Sequence, residues 1–149
     1  MVSRTPLLTV DVVIIYQKKI VLIRRANPPY QGYYALPGGF VEIGETVEDA
    51  ARREAEEETT LNVKLVKLLG VYSDPDRDPR GHTISIAYIG EGTGRLVANT
   101  DAASVELFDT DELPKKLAFD HEKILRDAFH VILNAHSPHN ILFHSNRKR

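Results

Sequence analysis

The chain has 149 residues, the usual size of one domain and too short to enclose two full cores. Hydrophobic residues make up 42% and charged residues 27%, a balance foreign to disordered and membrane-embedded chains, and the formal net charge of -2 gives no general attraction to nucleic acid or anionic lipid. With no cysteine, disulfide frameworks, thiolate metal sites and a thiol nucleophile are all excluded.

The start, Met1 to Pro6, carries no apolar signal core, and no apolar stretch approaches the roughly 20 residues that span a bilayer. The expectation is a cytoplasmic protein without membrane or nucleic-acid partners, folded as one domain over 1–149 with flexible tails at about 1–6 and 136–149. Leu7 to Tyr16 is rich in β-branched residues, and Gln17-Lys18-Lys19 separates it from a second short run, Ile20 to Ile23, which predicts an opening hairpin. Arg24 to Gly39 holds Pro28, Pro29, Gly32, Pro37, Gly38 and Gly39, and so reads as shaped loop and extended backbone without helix.

From Thr46 to Thr59 there is neither Gly nor Pro, and Thr46 with Asp49 three residues later suits a helix start. Asn62 to Ser73 and His82 to Ile89 read as strands around a charged, Pro-rich loop, Asp74 to Gly81. Arg95 to Ala98 and Val105 to Asp109 add two strand candidates, Asp111 to Pro114 a turn, and Asp120 to Asn134 an amphipathic helix. The order predicts an α/β (α+β) fold in which a mixed β-sheet is sandwiched between helices on opposite faces.

At about 100° per residue, Val47, Ala50 and Ala51 form an inward stripe on the first helix, and Glu54, Glu57 and Glu58 fall on it too. Glu48, Asp49, Arg52 and Glu56 take the opposite face. Three like charges within one turn repel one another and are costly to bury unless a cation compensates them. Hard carboxylate oxygens without Cys or neighbouring His point to Mg²⁺ or Mn²⁺. The competing reading is a solvated, glutamate-rich surface helix with ordinary ion pairs.

Gly39, five residues, Glu45, seven residues, Arg53-Glu54-Ala55, one residue, Glu57-Glu58, one residue, Thr60-Leu61: this pattern resembles the Nudix box, the signature of Nudix hydrolases. The flanks GYYALPGGFVE and VELFDTDELP are also similar, so the resemblance covers the chain from about Leu8 to Pro114. It implies metal-assisted hydrolysis of the pyrophosphate bond of a nucleoside diphosphate derivative, with Glu54, Glu57, Glu58 and the Gly39 carbonyl as metal ligands. Arg53 would orient the acids, and Glu45 matches the glutamate before the helix. Thr60 stands where the family usually has glycine, so either the helix ends differently there or Thr60 accepts a strain of about 1 kcal/mol. Ser104 aligns with a glutamate that serves as base in some relatives; Glu106 or Asp101 is expected to substitute, or Glu57 or Glu58 to hold the attacking water through the metal.

The loop from Gly70 to His82 resembles that of ADP-ribose pyrophosphatases, with Pro75 fifteen residues beyond Thr60, and the start Leu8-Thr9-Val10-Asp11 is similar too. ADP-ribose, cleaved to AMP and ribose 5-phosphate, is therefore the expected substrate. Oxidised nucleoside triphosphates, NADH and dinucleoside polyphosphates are the alternatives, together with a non-catalytic ADP-ribose-sensing module. Arg24, Arg25, Arg77 and Arg80 offer guanidinium groups for phosphate, with Gly38 beside them, and Tyr30, Tyr33, Tyr34 and Tyr72 offer rings for a base. Each has a plainer reading: arginines among aspartates as loop braces, tyrosines among strands as core. The resemblance leaves oligomeric state open: relatives of this kind are frequently dimers, and the first strands are the candidates to pair across subunits.

Overall fold

A computed structural model of the protein describes residues 5–97 and 103–134. Most of the expected tails and Asp101 lie outside the described residues. The β-branched opening run forms β1 (Leu7–Tyr16), and β2 (Lys19–Arg25) returns from it antiparallel, with Ile15 opposite Ile20 and Tyr16 opposite Lys19. Gln17 and Lys18 both have positive φ, the two-residue turn whose twist matches a hairpin. Two short strands, β3 (Tyr34–Ala35) and β4 (Gly38–Phe40), emerge from the Pro- and Gly-rich segment.

The first helix, α1 (Val47–Thr59), is followed by β5 (Asn62–Tyr72), β6 (Thr83–Thr93), β7 (Ala103–Phe108) and α2 (His121–Asn134). One seven-stranded sheet runs β3-β2-β1-β6-β5, with β4 pairing β1 and β7 pairing β2. It is mixed: β1 and β6 are parallel and the other pairs antiparallel. Because β1 is flanked by β2 and β4 on one side and β6 on the other, its edges are occupied, and its candidacy to pair across a dimer is corrected. No strand forms at Arg95 to Val97; β6 runs to Thr93 instead, and Gly94, at φ +95°, turns the chain out of the sheet.

Alternation along β1 sends Val10, Val12 and Ile14 into one core with Ala50, Ala51 and Ala55 of α1. Val13 enters the other, with Ile124, Leu125 and Ala128 of α2. The helices therefore cover opposite faces. The α1 start is capped as its sequence implies, the Asp49 N–H donating to Thr46 Oγ1 at 3.0 Å. Thr46→Ala should cost about 1 kcal/mol, read as a lowered urea midpoint with unchanged slope. At the other end Thr60 adopts the left-handed conformation itself (φ 62°, ψ 5°), and its N–H donates to the Glu56 carbonyl. Its hydroxyl donates to the Arg95 carbonyl at 2.8 Å and accepts from the Val97 N–H at 3.1 Å, bonds that offset the strain glycine would avoid.

Candidate functional site

The buried side of α1 is centred on Ala51, Ala55 and Thr59. On that wheel Glu58 lies roughly 60° from the centre and Glu54 roughly 100°, whereas Glu57 falls roughly 160° away, on the opposite side. Accordingly, Glu57 is 58% exposed against 16% for Glu54, which corrects the expectation that all three carboxylates turn inward together. The three do not converge on one point either. Among the described residues, the three acids whose oxygens come within 4.8 Å of one another are Asp109, Asp111 and Glu112, all exposed beyond the end of β7.

Glu58 accepts the Gly38 N–H at 2.8 Å. Burial pushes its carboxyl up to about 8, the Gly38 bond holding it back and the charges of Glu54, Asp11 and Glu57 adding to the rise. Glu54 is raised by burial as well. Arg53 organises the surroundings, gripping Glu45 through Nε at 2.6 Å and Nη2 at 3.0 Å and donating to the Phe40 carbonyl at 3.1 Å. Its Nη1 lies 3.4 Å from Glu54 and 3.3 Å from Glu57. The Arg53 bonds, followed by the Glu42 N–H, pull Glu45 down to about 2 and keep it charged.

β4 is held against β1, with Gly38 opposite Asp11 and Gly39 opposite Val10. A Cβ on Gly39 would stand 2.0 Å from Glu54 Oε2, so the glycine leaves the space the carboxylate occupies. Largely buried carboxylates beside bare backbone suit a hard divalent cation, whose charge would let Glu58 ionise despite its burial; the one imidazole in the same cleft, His121, is engaged by the Leu36 N–H and Asp11. Gly39, Glu54, Glu57 and Glu58 are the residues that could hold one.

Glu58, Gly38 and Gly39 open onto a narrow cleft of about 100 Å³ that Arg25, Arg80 and Phe119 also line. Arg25 stacks over the Phe119 ring at 4.9 Å and Arg80 at 5.7 Å. Burial, then repulsion by Arg80, lowers the Arg25 pKa, as expected of two cations crowded around one opening. Arg80 is tethered by Asp78 at 2.9 Å, and Arg25 by the Pro29 carbonyl at 2.7 Å. Two guanidinium groups sharing a cleft with Glu58 and the β4 glycines form an arrangement able to take an anion bridged to a cation.

The other predicted residues are engaged elsewhere. Arg24 alternates to the opposite face and donates to the Gly32 carbonyl at 3.2 Å. Arg77 does line the cleft, but it is buried there and spends its donors internally, on Asp120 at 2.9 and 2.7 Å and on Thr83 at 2.8 Å, so it braces the loop, and the expectation of phosphate binding there is corrected. Glu106 is corrected too. It pairs with Leu22, whose side chain enters the α2 core, and so projects from the sheet face opposite α1, accepting the Tyr34 hydroxyl at 2.8 Å. Neither Glu106 nor Tyr34 is brought to the α1 carboxylates.

Sequence reasoning missed Asp11, Phe119 and His121. Asp11 is buried, bonded to the Ser85 hydroxyl, 3.4 Å from His121 and 3.7 Å from Arg77. His121 Nδ1 accepts the Leu36 N–H at 3.0 Å. An acid alone inside a β-branched run was the available signal for Asp11.

The NUDIX domain profile matches residues 5–128. An ADP-ribose pyrophosphatase of Methanocaldococcus jannaschii is 58% identical over 123 residues, which cover 82% of this chain and 72% of that protein. A MutT/nudix family protein of Enterococcus faecalis superposes with a TM-score of 0.77 at 33% identity, over 93% of this chain and 67% of that one. The NUDIX domain of Shewanella oneidensis NrtR, in complex with ADP ribose, superposes with a TM-score of 0.72 at 26% identity, over 87% and 90%.

Proposed function

Because this chain belongs to the Nudix family and is a Nudix hydrolase, we propose that it cleaves ADP-ribose to AMP and ribose 5-phosphate with Mg²⁺ as its divalent ion. The observation that carries this reading is one cleft lined by Glu58 of α1 and the glycines of β4 together with Arg25 and Arg80, with Glu54 packed against Gly39 beside it. The identity to a pyrophosphatase of ADP-ribose, and a similar domain that holds ADP ribose, support the choice of substrate.

In this reading Glu54, Glu57, Glu58 and the Gly39 carbonyl hold the cation, which when bound supplies charge neutralisation on the phosphate oxygens and a more acidic water. Arg25 and Arg80 bind the pyrophosphate oxygens and orient the chain of phosphates along the cleft. Arg53 positions the acids from behind. Since Glu106 lies across the sheet, a carboxylate of α1 takes the proton of the attacking water. The new P–O bond forms on one phosphorus and the bridging oxygen leaves with the other phosphate. Cytoplasmic location and homodimerisation complete the proposal; none of the described helices is long and apolar enough to cross a membrane.

Incubation with ADP-ribose should give AMP and ribose 5-phosphate in equal amounts with Mg²⁺ and no turnover after chelation, followed by chromatography of the products. A higher kcat/KM on oxidised nucleoside triphosphates, NADH or dinucleoside polyphosphates would reject ADP-ribose as the substrate. The retained acids favour an enzyme over a sensing module, and DNA binding at physiological salt would reverse that preference.

A further inference from the structure

A second, larger cleft of about 630 Å³ adjoins the first and shares Phe119 and Arg77 with it. Its volume lies within the range of small-molecule sites. We infer that this cleft takes the nucleoside end of the substrate and turns away a nucleoside that carries an additional phosphate. The inference rests on the hydrolase reading above and deepens it by setting which nucleoside diphosphate derivatives are admitted.

The aromatic part of the wall is suited to a base. Tyr30 meets Phe119 edge to face at 4.9 Å, at the junction of the two clefts, and Tyr72 lines the second cleft further along. Rings at the junction can bear on a base whose phosphates extend toward Arg25 and Arg80.

The charged part sets the selectivity. Both cations of the wall are matched by carboxylates of their own, Arg77 by Asp120 at 2.7 Å and Lys123 by Asp127 at 3.1 Å. Asp127 also accepts the Tyr72 hydroxyl at 2.8 Å. Asp74 and Asp76 add two further carboxylates to the same wall, and the Asp76 N–H donates to Asp74 Oδ1 at 2.8 Å, which fixes the loop in a turn. The first cleft thus presents guanidinium groups and the second a surplus of acceptors. Ribose hydroxyls and an exocyclic amine donate to carboxylates. A phosphate on that ribose offers acceptors and a charge near -2, and is repelled over distances within a Debye length.

The test compares kcat/KM, with Mg²⁺, for ADP-ribose and for its analogue phosphorylated at the adenosine 2′ position. The analogue should be about tenfold poorer, mainly through KM, and the gap should shrink as KCl is raised. In an Asp74→Asn/Asp76→Asn double variant the amide oxygen preserves the turn, so the gap should narrow by at least about threefold. The ratio is read within each variant, which cancels any general loss. Equal efficiencies in the parent, or a ratio that neither salt nor the double variant moves, would overturn the inference. Binding of AMP against adenosine 2′,5′-bisphosphate, measured by calorimetry, reports on this cleft independently of turnover. Discrimination there without ADP-ribose hydrolysis would fault the substrate assignment and spare the cleft.

Discussion

Glu58→Gln is expected to lower turnover by about a thousandfold and, without divalent ion, to leave the protein more stable than its parent. Loss of turnover alone would not separate a metal ligand from any other useful acid; the stability change does. In the parent, burial has already pushed the Glu58 carboxyl up to about 8, so the folded chain bears the cost of holding an acid away from water. Glutamine keeps an oxygen to accept the Gly38 N–H and removes the titratable group, which should be worth up to about 3 kcal/mol at pH 7, growing with pH between 4.5 and about 8, where the unfolded carboxyl is ionised and the folded one is not. Thermal unfolding without and with excess Mg²⁺ reads both effects. The parent should gain several degrees on adding the ion, and the variant little. Glu57→Gln should also lose most turnover if its carboxylate swings in to complete the ligand set. Being exposed, however, it should not change metal-free stability. Should Glu58→Gln still be stabilised by Mg²⁺ as much as the parent, the assignment of that residue as a ligand fails.

That contrast also marks how far the helix could be read from its sequence. The cap at Thr46, the length of α1 and its inward face follow from local rules, because hydrogen bonding and a 3.6-residue period need no partner. The centre of the buried stripe does not. It was placed from Val47, Ala50 and Ala51, whereas packing on β1 brings in Ala55 and Thr59 and rotates the centre away from Glu57. Glu106 shows the same limit in a strand. A period of two tells which residues share a face, but which face meets α1 depends on the pairing of β7 with β2, a contact more than 80 residues apart in sequence. Arg77 and Arg80 stand three apart in one loop and both line the cleft, and only the position of Asp120, just before α2, makes the first a brace while the second lies over the Phe119 ring. The two helices on opposite faces were legible, because each carries its own apolar stripe and a sheet offers two sides.

The adjacent glycines of β4 should fail in different ways when each becomes alanine, and the difference tests the geometry of the site directly. A Cβ on Gly38 would lie 2.1 Å from the Val10 carbonyl and 2.6 Å from Asp11 Oδ1. The first of these is backbone of the central strand, which cannot yield without parting β4 from β1, so Gly38→Ala should lower stability by about 1–3 kcal/mol or more, seen as a reduced Tm. A Cβ on Gly39 meets instead the free end of a side chain, Glu54 Oε2 at 2.0 Å and Oε1 at 3.0 Å. That carboxylate can rotate away, so the fold should survive with Tm nearly unchanged, but the ligand is driven from its place beside Glu58. Gly39→Ala should therefore reduce kcat by about a hundredfold and raise the Mg²⁺ concentration needed for half-maximal rate. Restoring activity with high Mg²⁺ in Gly39→Ala, and not in Glu58→Gln, is the expected pattern, since one variant displaces a ligand and the other removes it. An unfolded Gly39→Ala, or one as active as the parent at low Mg²⁺, would mean that Glu54 does not occupy the space this glycine leaves.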